Sequence, residues 1–207
     1  AGRIPARLST FRRDIWPSRA AAAANFRKQK YYQLWDPRVL ELWIAHGIRP
    51  APTALYPDEF DGAVTLSTTK HQEVRSFLRP MFSRKKGEYG EAQREAYPDI
   101  DPSLSPEVMP FYRPEVPATF DRLGHLRPSV LYIFGEASDM STPALAAAKV
   151  ARTGAATGGS GGAAAGRVQG LTIKGRGPLV PMEVVDECAT AISEWTGKEL
   201  QGWARQK

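Results

Sequence analysis

Val130 to Phe134 is an unbroken apolar run, rich in β-branched and aromatic residues, and Gly135 closes it. A run without polar alternation predicts a strand buried on both faces of a parallel sheet. Behind it, Thr142-Pro143 predicts a helix start, with Thr142 as N-cap and proline at the first helical position, and the helix continues to Arg152. Val168 to Lys174 reads as the last strand, with Leu171 and Ile173 pointing one way, and Gly175 to Pro178 as its turn. Pro181 to Trp195 is then the final helix, with Val185, Cys188, Ile192 and Trp195 on its core face and Gly197 as its C-cap. The tail to Lys207 is a short, basic, amphipathic extension.

The first half of the chain patterns differently. Trp16-Pro17-Ser18 opens a helix through an alanine run to Lys30, whose alanines favour helix but are too small to define a core face. Asp36-Pro37 starts the next helix, in which Val39, Leu40, Trp43 and Ile44 build one apolar face and Gly47 ends it. Arg49 to Gly62 is proline-rich and irregular, and Ala63 to Ser67 alternates like a short strand. Thr69-Lys70-His71-Gln72 matches a capping box. Val74, Phe77, Leu78, Met81 and Phe82 continue it as an amphipathic helix, ended early or kinked by Pro80. Ser83 to Pro117 is a polar, proline-studded linker, and Gly154 to Gly166 is a flexible loop of small residues.

With 207 residues, 42% hydrophobic and 24% charged, the composition is that of a soluble globular chain. No apolar run reaches the ~20 residues of a membrane span. The single cysteine, Cys188, excludes an internal disulfide framework and a cysteine-built zinc site, and fits a buried structural thiol. The net charge of +6 is concentrated at the start, where Arg3, Arg7, Arg12, Arg13, Arg19, Arg27, Lys28 and Lys30 face only Asp14. Three readings are open there: a nucleic-acid patch, a cleavable presequence and a solvated lid surface. The solvated surface is preferred, because no aromatic platform or nucleic-acid motif accompanies the charge. A chain beginning at Ala1 also reads as a fragment or processed product.

Candidate chemistry lies at the end of the first strand. Open α/β sheets place catalytic groups at the carboxyl ends of strands, and Glu136 and Asp139 stand there. The competing reading is that Asp139 merely caps the turn. Gly158-Gly159-Ser160-Gly161-Gly162 matches G-x-S-x-G literally, but no apolar strand precedes it and no patterned helix follows, so Ser160 is rejected as a nucleophile. His46, His71 and His125 are scattered without metal-ligand spacing. His46 suits a helix C-terminus and His71 a solvent-facing first turn.

The closing pattern of strand, G-x-G, L-V-P-M-E and helix resembles the last strand, histidine loop and last helix of α/β-hydrolases, many of which read G-x-G-H-x-x-P-x-E. G-E-x-S-D resembles the strand end that delivers their triad acid. W-P-S-R, W-D-P-R-V-L-E-L-W, P-T-A-L-Y-P and V-T-L-S-T-T-K-H-Q-E-V resemble the lid of a fungal branch containing peroxisomal hydrolases of toxin-biosynthesis clusters. The resemblance covers nearly the whole chain and implies an α/β fold: the C-terminal half of an α/β-hydrolase, with parallel strands and flanking helices, preceded by a mostly helical lid. It implies a lid with its linker over 1–115 and part of the hydrolase core over 116–207.

The resemblance also implies a site. Asp139 takes the place of the triad acid, and Pro178 stands at the histidine position, where it has no group to accept a proton. The first strands, oxyanion loop and nucleophile elbow of such enzymes precede the region of resemblance. The implied function is that of a partial or degenerate hydrolase, whose complete relatives cleave an ester, thioester or lactone of a hydrophobic substrate. A non-catalytic remnant binding an apolar ligand or a protein is the alternative. No cofactor and no metal are implied. Expected partners are the hydrophobic substrate and the missing N-terminal half or a second copy, with no nucleic acid and no membrane span. The implied location is cytoplasmic or peroxisomal, without a peroxisomal C-terminal tripeptide in this chain.

Overall fold

The computed structural model describes residues 3–77, 79, 95, 97–98 and 115–205. They fall into two compact units, Ala1–Ala23 with Ile44–Thr119 and Ala24–Trp43 with Phe120–Lys207.

In the first unit, helix α1 (Arg3–Phe11) packs against helix α5 (Lys70–Phe77), and the strands are β1 (Ile15–Trp16), β2 (Ile48–Pro50) and β3 (Val64–Leu66). They form an antiparallel sheet in the order β1-β3-β2. The expected short strand is thus found at β3. It is central, and Val64, Thr65 and Leu66 are all buried rather than alternating. The Thr65 hydroxyl meets that burial by donating to Asp14 O at 2.8 Å. β1 and β2 are too short to give a periodic signal and were not foreseen. Tyr56 donates to the Asp14 carboxylate, and Lys70 pairs with it at 3.2 Å. Burial, reinforced by Asp14, pushes the Tyr56 hydroxyl up to about 12.

The capping box forms as expected. Gln72 N–H donates to Thr69 Oγ1 at 3.2 Å, and Thr69 N–H donates to Gln72 Oε1 at 3.1 Å. The expected continuation through Leu78, Met81 and Phe82, and most of the linker from Ser83, lie outside the described residues. The linker's end does not: Glu115–Arg122 is helix α6. Helix α2 (Arg19–Lys28) ends two residues before the expected Lys30, and α3 (Lys30–Gln33) follows. Its alanines do build a face, since Ala22 and Ala23 are buried. Arg19 crosses to the end of helix α4 (Pro37–His46), donating to Ile44 O, Ala45 O and Ile48 O at 2.7–3.0 Å. Ile44 and Ala45 lie in the last turn of α4, whose carbonyls have no partner within the helix, and Ile48 starts β2. Part of the N-terminal charge is therefore a helix cap.

In the second unit, Phe26, Tyr32, Trp35 and Trp43 form an aromatic cluster with centroids 4.9–6.3 Å apart, its pairs edge-to-face except for stacked Tyr32 and Trp43. Asp36 caps α4 by accepting Arg38 N–H at 2.8 Å and also takes the Arg38 guanidinium, which holds its carboxyl down at about 2. Arg38 reaches Asp186 at 2.9 Å as well, and Asp36 N–H donates to Met182 O at 2.8 Å.

Strand β4 (Val130–Gly135) pairs in parallel with β5 (Val168–Ile173) over six residues in unbroken register. Helix α7 (Pro143–Arg152) crosses between them, and its N-cap is the expected Thr142. Gly170 permits a close crossing, since a Cβ there would lie 2.9 Å from Val150 Cγ2. Tyr132 and Phe134 stack beneath α7, and the Tyr132 hydroxyl lies 2.8 Å from buried Thr153 Oγ1. On the opposite face Ile173, Val180 and Cys188 are buried, with Ile133, Leu171 and Val184 packed on them. Burying a side chain such as Val180 contributes roughly 1.5–3 kcal/mol. Leu171 and Ile173 do share a face. β4, expected to be buried on both faces, is only half-buried except at Gly135, because β5 is its one strand neighbour among the described residues.

Two further expectations are corrected. The last helix is two helices, α8 (Val180–Glu183) and α9 (Val185–Ala204), broken at Val184. Gly197 lies inside α9 rather than at its C-cap, and Ile192 is 52% exposed rather than on the core face. The Gly154 to Gly166 loop is built, not flexible. Gly154, Gly158, Gly161, Gly162 and Gly166 hold positive φ, and a Cβ at Gly159 would lie 2.5 Å from both Gly124 O and Gly154 O. Backbone bonds close it onto the chain before β4: Gly154 N–H to Leu123 O, Ala156 N–H to Gly124 O and Ser160 N–H to Leu126 O, each 2.9 Å.

These two glycines predict opposite outcomes in thermal melts. Gly197 has open space around it, so Gly197→Ala should stabilise by about 0.5–1 kcal/mol through helix propensity. Gly159→Ala forces a methyl against two carbonyls and should cost about 1–3 kcal/mol. A lower midpoint for Gly197→Ala, or none for Gly159→Ala, would contradict these placements.

Candidate functional site at the strand ends

The parallel register brings the carboxyl ends of β4 and β5 side by side, and a small set of backbone bonds fixes what leaves them. Glu136 N–H donates to Ile173 O at 3.0 Å, and Ala137 N–H to Arg176 O at 2.8 Å. In return Gly175 N–H donates to Glu136 Oε2 at 2.9 Å. Gly177 N–H is held by the Glu183 carboxylate at 3.1 and 3.2 Å. Gly175 turns the chain with φ of +66°, a conformation that glycine adopts without a Cβ penalty.

Gly135 decides whether these loops can meet. A Cβ there would lie 2.1 Å from Gly177 O, 2.5 Å from Arg176 O and 2.8 Å from Val180 Cγ2. Backbone oxygens cannot yield as a flexible side chain can.

Of the two carboxylates, Glu136 is occupied by Gly175. Asp139 is exposed, with no hydrogen-bond partner among the described residues. Turn capping falls to its neighbours: Ser138 Oγ accepts Met140 N–H at 3.2 Å, and Thr142 Oγ1 accepts Leu145 N–H at 3.3 Å. Pro178 is exposed on the partner loop, directly after Gly177. The two residues singled out from sequence thus stand on loops joined by hydrogen bonds.

No histidine of this unit joins them. His125 precedes β4 and lies at its amino end; a six-residue strand separates it from Asp139, roughly 20 Å at ~3.3 Å per residue. His46 and His71 are exposed residues of the other unit. Ser160, bonded to Leu126 O, also lies at the amino end of the sheet. Cys188 is buried beneath β5, and burial pushes its thiol up, as for a structural cysteine. Among the described residues no cluster of His, Cys, Asp or Glu could hold a metal ion. No helix among them is long and apolar enough to cross a membrane.

Glu136 is tied up in the turn, as its place directly after Gly135 predicts, whereas Glu183 has no role that the sequence alone suggests. Glu183 was visible as the last letter of the L-V-P-M-E pattern. Its bond to Gly177 depends on the turn through α8, which spacing alone does not show.

No protein-family model matches the chain. It is 34% identical over 211 residues to the type I acyl-CoA thioesterase mpaH of Penicillium roqueforti, covering 95% of this chain and 48% of that protein. It is 33% identical to the mpaH' thioesterase of Penicillium brevicompactum, covering 46% of it. It is 27% identical to the abhydrolase domain-containing protein AFT2-1 of Alternaria alternata, covering 65% of it. The chain therefore spans about half the length of the thioesterases it matches. Among solved structures, the peroxisomal alpha-beta-hydrolase Lpx1 of Saccharomyces cerevisiae superposes with a TM-score of 0.59 at 12% identity, covering 96% of this chain and 40% of that one.

The junction predicts unequal tolerance at its two glycines. Gly135→Ala should cost about 3 kcal/mol or more, since a methyl would meet fixed backbone. Gly177→Ala meets only the Glu183 carboxylate, at 2.8 Å, which can swing aside, so it should cost about 1 kcal/mol. Denaturant melts of the two variants check this, and equal tolerance would mean that the loops do not touch. By sequence and by fold, the chain is a relative of fungal α/β-hydrolases and carries part of the α/β-hydrolase fold.

Proposed function

We propose that this chain is the acid-bearing part of a hydrolase that cleaves a thioester or ester of a hydrophobic acyl substrate. The observation that carries the reading is the bonded pair of loops at the strand ends, which presents Asp139 beside the loop of Pro178. The thioesterase names of the relatives favour a thioester. On this reading residues 1–115 belong to a lid with its linker and 116–207 to the core, and the protein works in the cytoplasm or the peroxisome.

In the complete site a serine attacks the acyl carbonyl, and backbone amides stabilise the oxyanion. A histidine on the loop after β5 takes the serine proton and returns it to the leaving group. Asp139 holds that imidazole in the tautomer that can accept. Its freedom from any cap or ion pair among the described residues suits that task. Pro178 removes the proton carrier and leaves the acid without a partner to orient. That favours the second reading, in which the chain as written is a non-catalytic remnant.

One substitution separates the two. The chain is co-produced with the portion of the Penicillium roqueforti thioesterase that it does not cover, and hydrolysis of acyl-CoA and short-chain p-nitrophenyl esters is followed. With Pro178 the assembly should show no turnover above a buffer blank. Pro178→His should raise the rate by ~10²–10⁴-fold, the usual contribution of a general base, whereas Pro178→Ala should not. Activity with Pro178 in place that survives Asp139→Asn would sink the assignment of both residues.

A further inference from the structure

Helix α1 buries its small residues and exposes its large ones. Ala6 and Ser9 are 2% and 5% exposed, whereas Leu8 and Phe11 are 67% and 79% exposed. A helix that packs on a core ordinarily sends its largest apolar side chains inward. Arg7 and Leu8 stand four and three residues before Phe11, so the three are neighbours on one outward face.

The surface around that face is free of exposed acid. α1 contains no Asp or Glu, and α5, packed on it, contains only Glu73, which is half-buried and paired with Arg12 at 2.7 Å. The exposed positions of α5 are His71, Gln72, Arg75 and Ser76. Arg7 and Arg75 form no ion pair among the described residues. Arg13 is exposed just past the end of α1, and the next residue, Asp14, is buried and held by Tyr56 and Lys70.

Apolar side chains and uncompensated cations together select the occupant. A second copy of the chain would bring two basic faces against each other. A nucleic-acid backbone would meet the cations and leave Leu8 uncovered. A bilayer with anionic headgroups meets both, as it does for interfacial helices with Phe or Leu on one side and Arg beside them. We infer that the outward face of α1 is a contact for an anionic membrane surface, with Leu8 and Phe11 entering the acyl boundary and Arg7 and Arg13 among the headgroups. The helix lies in the interface and does not span it. With so few groups engaged, the binding is weak and reversible. The inference does not rest on Asp139, Pro178 or the proposed reaction.

Sedimentation of the 207-residue chain with vesicles tests it, one set of phosphatidylcholine and the other an equal mixture of phosphatidylcholine and phosphatidylserine. Partition onto the mixed vesicles should exceed that onto the neutral ones by roughly fivefold or more, since one cation near such a surface contributes about that factor. Leu8→Ser combined with Phe11→Ser should cut binding to the mixed vesicles by about tenfold. Arg7→Gln should cut it by about fivefold. All three side chains are exposed, so the thermal midpoint should not move; where the double variant does lower it, Arg7→Gln alone carries the test. No binding to the mixed vesicles, equal binding to both sets, or binding that survives the substitutions would overturn the proposal. So would capture by RNA that is indifferent to Leu8 and Phe11, which would make the face a polyanion patch, or a dimer of this chain that the double variant dissolves.

Discussion

The backbone of Gly135 approaches the carbonyls of Arg176 and Gly177 more closely than any side chain allows, and the candidate site depends on that approach. It lets Ala137 reach Arg176 O and lets Glu136 take Gly175 N–H, so that the two loops leave the sheet as one object. Beneath them Ile173, Val180 and Cys188 fill the space with apolar side chains. Glu183 holds the second loop from behind through Gly177 N–H. A residue at position 178 is thereby presented rather than left to wander. Placing groups in this way is what an acid–base pair requires, since misplacement by an ångström costs much of the rate.

Half of the eight basic residues that dominate the N-terminal sequence have an internal partner. Arg19 caps the end of α4, Arg12 pairs with Glu73 at 2.7 Å, Arg27 forks onto Glu41, and Arg13 donates to Ile15 O. Exposed pairs of this kind contribute little stability singly. Arg19 differs because it satisfies carbonyls that the helix leaves open.

Legibility in the sequence followed the range of the interactions. Thr142-Pro143, Asp36-Pro37 and Thr69 with Gln72 are local caps, and each forms where its residues predict. The apolar run at β4 identified the strand, with Glu136 and Asp139 past its carboxyl end. What failed was long-range. The Gly154 to Gly166 tract reads as flexible from composition, yet its glycines serve close backbone approaches to Leu123, Gly124 and Leu126. Gly197 looks like a helix stop, but α9 runs through it to Ala204. β1 and β2 owe their existence to β3, to which they bond.

Amide hydrogen exchange tests the central claim, that the two strand-end loops form one bonded assembly, most directly. Ala137 and Gly175 supply the bonds that join the loops. Their amides should exchange as slowly as the ladder amides Tyr132 and Phe134, with protection rising and falling together across denaturant. Exchange of Ala137 and Gly175 at the rate of an open loop, while Tyr132 and Phe134 stay protected, would contradict it.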